Sequence, residues 1–271
     1  MGRESVVNAG PADSILRFAK RYAVAAGGAL YAFTVGIGDA RNRHLIQDIA
    51  RRFGHRDGDA PRLPTIAIDE LTSASTEVVL AEPVARDGNV SLVELLVLAR
   101  LVRERRPRHV FEIGTFDGRT TLTLATNARD DAVVYTLDLP PEQPTDLALE
   151  RSERAFVDKP MSGARFQGTE AETKIVQLYG DSATFDFTLF RAELVFVDGS
   201  HSYEYVMSDS LRALTLVGGR AGAIVWHDYG EWPGVTRALD QLANSDHRFA
   251  DLRWVEGTTL AVLIVPAPVS P

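Results

Sequence analysis

The 271-residue chain contains no cysteine. Disulfides, thiol nucleophiles and thiolate metal sites are therefore excluded. A reducing compartment is compatible with this, and a cytoplasmic location is the expectation. Positive charge is in short supply too: 29 Lys and Arg stand against 37 Asp and Glu, for a formal net charge of -8. That balance argues against a phosphate backbone as the main partner, so no nucleic acid is expected. The chain also lacks a long, strongly apolar run. The stretch "YAVAAGGALYAFTVGIG", Tyr22 to Gly38, is uncharged, but a spanning helix needs ~20 strongly apolar residues. This one is shorter and rich in Gly and Ala. No integral membrane association follows. The stretch reads as a helix or turn that is buried or contacts another copy of the chain, with peripheral membrane contact as the alternative. Finally, no G-x-G-x-x-G is present at the turn where a dinucleotide fold would carry it.

What is present is ordinary for a folded protein: 45% hydrophobic and 24% charged residues. The length allows one large domain with an accessory segment. Residues 1–85 read as an N-terminal accessory region. "SILRFAKRYAVAA" has helical spacing, with Ile15, Leu16, Phe18 and Tyr22 on one face. "ARNRHLIQDIARRFG" predicts a second helix with a Leu45, Ile46, Ile49, Phe53 stripe and a stop at Gly54. Residues 86–271 change pattern. "SLVELLVLARLVRERRP" is a helix that Ser91 caps, Glu94 completes as a capping box, and Pro107 ends. Then apolar runs ("HVFEIG", "AVVYTLDL", "LVFVDG", "AGAIVWHD", "LAVLIV") alternate with helical ones ("RTTLTLATNA", "SYEYVMSDSLRALTLV", "GVTRALDQLAN"). Such alternation predicts an α/β, doubly wound, mostly parallel sheet. "LRWVEGTTLAVLIV" predicts a closing antiparallel hairpin around Glu256-Gly257.

In such sheets ligands bind beyond the carboxyl ends of the strands. After the first strand comes Glu112-Ile113-Gly114-Thr115-Phe116-Asp117-Gly118, where glycines let the backbone turn sharply and approach a ligand. Two carboxylates here would repel a pyrophosphate and suit a cationic or zwitterionic ligand; an ordinary strand-to-helix turn is the plainer alternative. Asp138, then Leu139, ends the next strand roughly twenty residues on, where an acid accepts hydrogen bonds from ribose hydroxyls. Gly180-Asp181-Ser182 is a polar turn that could meet an adenine edge, and alone it is a common turn sequence. Asp198 and His201 follow a fourth apolar run, and His227 and Asp228 end a fifth. Asp and His are ligands for hard to borderline divalent metals. They are equally general acid/base candidates.

This ordered set, E112-I-G-T-F-D-G118 with Asp138, G180-D-S182, V-D198-G-S-H201-S-Y and W226-H-D228-Y with P233-G-V, resembles class I S-adenosylmethionine (SAM)-dependent methyltransferases. More narrowly it is similar to the O-methyltransferase group that includes catechol- and macrocin-type enzymes, over roughly Val90 to Val265. The resemblance implies a seven-stranded Rossmann-like sheet. It also implies SAM as cofactor, held by Glu112, Gly114, Thr115, Phe116, Gly118, Thr120, Asp138, Leu139, Gly180, Asp181, Ser182 and Asp198. It implies a small hydroxylated acceptor, such as a natural product or sugar, and a homo-oligomer. A divalent ion such as Mg²⁺ would sit on Asp198, His227 and Asp228. His227 departs from the Asp or Glu usual in relatives, and imidazole favours Mn²⁺, Fe²⁺ or Zn²⁺ over Mg²⁺. A metal-free reading makes His201 or His227 the general base, with Asp198 beside them. A SAM-binding protein without transfer activity, or another chemistry on the same fold, are the competing readings.

Overall fold

A computed structural model describes residues 11–38, 46, 61–85, 88–149, 153–159 and 161–267. The chain falls into two compact units, 1–56 and 57–271. In the first, helix α1 (Pro11–Ala32) bears out the helical spacing. The side chains of Phe18, Tyr22, Val24, Leu30 and Tyr31 are exposed, as are those of Val35 and Ile37 beyond the helix. The stretch from Tyr22 is thus mostly unburied in the single chain, contrary to the buried alternative. No helix among the described residues is long and apolar enough to cross a membrane. The helix expected around Leu45–Phe53 lies outside the described residues, apart from Ile46.

The second unit is built on one sheet. Its strands are β1 (Thr65–Ile66), β2 (His109–Ile113), β3 (Val133–Asp138), β4 (Ile175–Tyr179), β5 (Leu194–Val197), β6 (Gly222–Trp226), β7 (Arg253–Val255) and β8 (Ala261–Val265). Their order is β1-β7-β8-β6-β5-β2-β3-β4. All pairings are parallel except β6 with β8 and β8 with β7, which form the expected hairpin end. Strands β2, β5 and β6 are almost entirely buried. Helices on both faces explain why they read as unbroken apolar runs rather than alternating ones.

The expected seven strands are β2 to β8; the eighth, β1, has no sequence signature beyond two residues. Tyr229 explains its placement. Its hydroxyl accepts the backbone N–H groups of Arg62 (2.9 Å) and Leu63 (2.8 Å) and donates to Asp240 (2.6 Å). Residues 57–85 therefore share a unit with the sheet, whereas the composition change places the boundary near 85.

Six α-helices follow β1 among the described residues: α2 (Ile68–Leu71), α3 (Leu92–Arg105), α4 (Arg119–Asn127), the one-turn α5 (Arg154–Val157), α6 (Tyr203–Val217) and, after β6, α7 (Pro233–Ser245). α3 begins as its sequence predicts: Ser91 and Glu94 form the capping box. It ends at Arg106, left-handed at φ 49°, before Pro107. α3 and α4 cover one face over a core that includes Leu95, Leu98, Val110, Leu122 and Val134. α6 and α7 cover the other over Phe111, Val195, Ile224, Trp226 and Leu239. The chain winds from β2 outward through β3 and β4, then returns to β5 and winds the other way. The carboxyl ends of β2 and β5 are thus the switch point where a ligand crevice forms.

Candidate active site

At the switch point the ends of β2 and β5 press together. The Asp198 N–H donates to the Ile113 carbonyl (2.8 Å). A Cβ on Gly114, whose φ is 101°, would collide with the Asp198 carbonyl oxygen, so only glycine fits there. Phe116 is held at φ 48° and Gly118 at φ 84° as the turn feeds α4. Non-glycine residues in this region are uncommon and concentrate at functional sites.

The acids of the turn do not act as their spacing suggests. Glu112 is fully buried and accepts hydrogen bonds from the hydroxyls of Thr121 and Thr136 (2.6 Å to the latter). Burial pushes its pKa up to about 8, against the two threonine hydrogen bonds, so the carboxyl is neutral at pH 7. Asp117 is spent on Arg165 Nε (2.8 Å), Asn89 Nδ2 (3.0 Å) and the Arg119 N–H (3.1 Å). Neither offers free negative charge to a cationic ligand. Thr115 and Thr120 are buried, Thr115 against the Thr136 hydroxyl at 2.7 Å.

The next two strand ends carry acids that already have partners. Asp138 Oδ2 lies 2.7 Å from Lys159 Nζ, with both side chains nearly buried, and Leu139 follows, half-buried. After β4, the backbone of Gly180 bonds to the Asp138 carbonyl at 3.0 Å. The Asp181 carboxylate accepts from the Tyr205 hydroxyl (2.8 Å), the Ala183 N–H (3.0 Å) and the Asp146 N–H (2.7 Å). It ties the β3–β4 connection to α6, leaving little of it for an adenine; Ser182 beside it is half-buried.

The fourth and fifth strand ends do converge. His227 Nδ1 is 3.0 Å from Asp198 Oδ1 and 3.2 Å from Asp228 Oδ2, and its Nε2 is 3.4 Å from Glu94 Oε2. His201 Nε2 is 2.8 Å from Asp228 Oδ2, and its Nδ1 is 3.0 Å from Glu153 Oε1. Asp228 adopts φ 65°. Burial opposes charge on His201, His227, Asp228 and Glu94, but pairing outweighs it. Despite burial, hydrogen bonds to Asp228 and Glu153 raise the His201 pKa to about 10. His227 rises well above its ordinary value, because the charges of Asp228 and Asp198 overcome burial. Asp228 falls far below the carboxylate range, since the His227 charge and the His201 hydrogen bond overcome burial. Glu94 falls likewise, through His227 and the N–H groups of Thr259 and Ser91. Both imidazoles are therefore imidazolium at neutral pH.

Among the described residues, Asp198, His201 and Asp228 each offer one ligand atom, all within 4.8 Å of one another. His227, expected as a ligand, has both ring nitrogens turned to carboxylates, as has His201. Oxygen and imidazole donors in this set suit a divalent cation. The glycine turn, the approach of its backbone to Asp198 and the acid at the end of β3 border the crevice where ligands bind in such sheets. A small cavity at the site is lined by Asp198, His201, Trp226, His227, Asp228 and Val235, among others.

Four participants lie outside the residues expected from sequence. Glu94, identified only as a capping residue, also accepts the N–H (2.7 Å) and hydroxyl (2.8 Å) of Thr259, and so fixes the hairpin turn beside His227. Trp232 stacks flat on His201, with centroids 4.2 Å apart and planes 9° apart. Glu153 and Lys159 come from the long β3–β4 connection, which its length alone marks as a binding loop. Another acid, Asp209 of α6, is fully buried near Gly199, and burial pushes it up to about 7.

Residues 111–229 match the Methyltransf_24 family, described as a methyltransferase domain. No curated protein matches the chain significantly. Similar solved structures include the O-methyltransferase TomG from Streptomyces achromogenes in complex with SAM (20% identity, TM-score 0.45, covering 67% of this chain and 83% of that one). Another is the methyltransferase PaMTH1 of Podospora anserina bound to S-adenosylhomocysteine (SAH) (19%, TM-score 0.47, 66% and 80%). A third is an O-methyltransferase from Bacillus cereus, also with SAH (14%, TM-score 0.46, 66% and 84%). At these similarities no residue role carries over from them. The family match spans the glycine turn, the acid at the end of β3 and both histidine loops: over residues 111–229 the chain is similar to a methyltransferase domain.

Proposed function

We propose that the protein is a SAM-dependent O-methyltransferase that methylates a hydroxyl of a small-molecule acceptor with the help of a divalent cation. The observation that carries this reading is the convergence of Asp198, His201 and Asp228 within 4.8 Å beside the glycine turn. In the reaction the methyl carbon leaves the cofactor's sulfur and bonds to the acceptor oxygen, while the hydroxyl proton departs to solvent or a base. The protein's part is mainly alignment, which turns a two-body encounter into a held geometry. Gly114 and Gly118 let the turn approach the cofactor, and Asp138 offers a carboxylate to its ribose. Asp198 and Asp228 would hold the cation, with His201 as a third donor or His227 as the sequence pattern implies. A bound cation would lower the pKa of a hydroxyl placed on it. Without a cation His227 and His201 pair with these carboxylates; the histidine that becomes a donor would release its proton as the cation binds.

The metal-free reading requires an imidazole able to accept a proton near neutral pH. His201, raised to about 10, and His227, flanked by three carboxylates, work against it. Calorimetric titration with SAM, SAH and NAD⁺ as control tests the cofactor. Binding of the SAM pair that is lost in Asp138→Asn supports the reading, and no binding by folded protein sinks it. Mn²⁺ titration then tests the cation site: Asp198→Asn and Asp228→Asn should lose Mn²⁺ and retain SAH. An acceptor screen with and without chelator, read by the mass gain of one methyl group, separates transfer from mere binding.

A further inference from the structure

The segment from Glu153 to Lys159 lies across the carboxyl ends of three strands. At β3, Lys159 Nζ sits 2.7 Å from Asp138 Oδ2, with the two side chains only 10% and 8% exposed. The same ammonium donates to the Phe156 carbonyl at 3.1 Å. At β5, the Glu153 carboxylate accepts the His201 N–H and, at 3.2 Å, the Ser200 hydroxyl. Between these anchors the Phe156 ring stands edge-on to Phe116 of the glycine turn, with centroids 5.7 Å apart and planes at 84°.

Asp138 is the acid that the cofactor reading assigns to the ribose, and Lys159 holds one of its oxygens. A ribose diol brings two O–H donors to a carboxylate already paired with an ammonium. An ammonium there also opposes the positive sulfonium and amino groups of the cofactor. The segment is anchored by polar contacts at its two ends, the Lys159–Asp138 ion pair and the contacts of Glu153 with His201 and Ser200, with the half-buried Phe156 ring between them. Segments with so few buried apolar contacts open at low free-energy cost.

We propose that Lys159 sets the affinity of the cofactor site: it is an internal counter-ion that the ribose must displace from Asp138, with Glu153–Lys159 moving aside as the cofactor enters. This rests on the SAM reading above. Removing the ammonium leaves Asp138 a nearly buried carboxylate in need of donors, which the ribose supplies. The closed arrangement reduces apparent affinity by the fraction of molecules that are open.

The test is SAH calorimetry on the wild type, Lys159→Met and Glu153→Gln, with circular dichroism to confirm folding. Glu153→Gln loosens the segment from its other end and leaves Asp138 and Lys159 intact. Lys159→Met should bind SAH about five- to tenfold more tightly, and Glu153→Gln should shift in the same direction. Hydrogen exchange in residues 153–159 of the wild type should change when SAH saturates the site. If the wild type binds SAH and both folded variants bind equally or more weakly, the inference is overturned while the cofactor reading stands. If Lys159→Met does not fold, Glu153→Gln decides by the same criterion. If no folded form binds SAH, the cofactor reading fails and the inference falls with it.

Discussion

Replacing Glu112 by Gln should stabilise the protein, and increasingly so as pH rises. The carboxyl is fully buried beneath the glycine turn, where burial pushes its pKa up to about 8 from an ordinary value of 4.5. In the unfolded chain it is ionised at pH 7, so folding must protonate it. Each pH unit above 4.5 costs about 1.4 kcal/mol until the folded pKa is reached. At pH 7 that is a penalty on the order of 3 kcal/mol, and it levels off near pH 8. The sign follows from a raised folded pKa: the group's relative stabilisation is complete below about pH 4.5 and is lost as pH climbs through 8. Gln keeps the shape and stays neutral, and its amide oxygen can accept from Thr121 and Thr136 as Glu112 does. Chemical denaturation at pH 5, 7 and 8.5 measures the difference. The variant should match the wild type near pH 5 and exceed it by a few kcal/mol at pH 8.5. An advantage that does not grow with pH, or a variant that is less stable at pH 8.5, would refute the argument that Glu112 is a neutral scaffold group. SAH affinity gives a second check: a carboxyl that only supports the turn predicts little change, whereas a charge on the cofactor predicts loss.

Glu94→Gln separates the two roles of its side chain. Gln can still serve a capping box, but one amide oxygen cannot replace a carboxylate that accepts from Ser91, Thr259 and His227. A loss of about 2–4 kcal/mol is expected by thermal or chemical unfolding. Because Glu94 is depressed in the fold and His227 raised, the penalty should be largest between about pH 4.5 and 6.5 and narrow toward acid; a pH-independent loss would point to capping alone. Tyr229→Phe removes the acceptor for the N–H groups of Arg62 and Leu63. It should cost about 1–3 kcal/mol and speed hydrogen exchange in residues 61–66, and unchanged exchange there would disprove the tether.

The parts of the fold visible in sequence are those set by local pattern. The central strands are legible because burial on both faces demands an uninterrupted apolar run, as in Leu194–Val197. The start and end of α3 are legible because Ser91, Glu94 and Pro107 act on their own neighbours. β1 is not legible: two residues carry no periodicity, and their place depends on a tyrosine 167 residues away from Arg62. The site divides along the same line. A strand-end rule locates Asp138, Asp198, His201, His227 and Asp228, since each directly follows an apolar run. What these groups do depends on partners the rule does not supply. Glu112 looks like a charge and is neutral, because spacing gives no measure of burial. Asp117 looks like a ligand and is a counter-ion to Arg165, which lies 48 residues on. His201 looks like a base and is held as an imidazolium by Asp228 and by Glu153, the latter from a loop whose own sequence marks it only by length. Chemistry-bearing positions are thus a local property of this chain, while their protonation states are a tertiary one. A mechanism read from residue types alone would assign the proton to the wrong side of both Glu112 and His201.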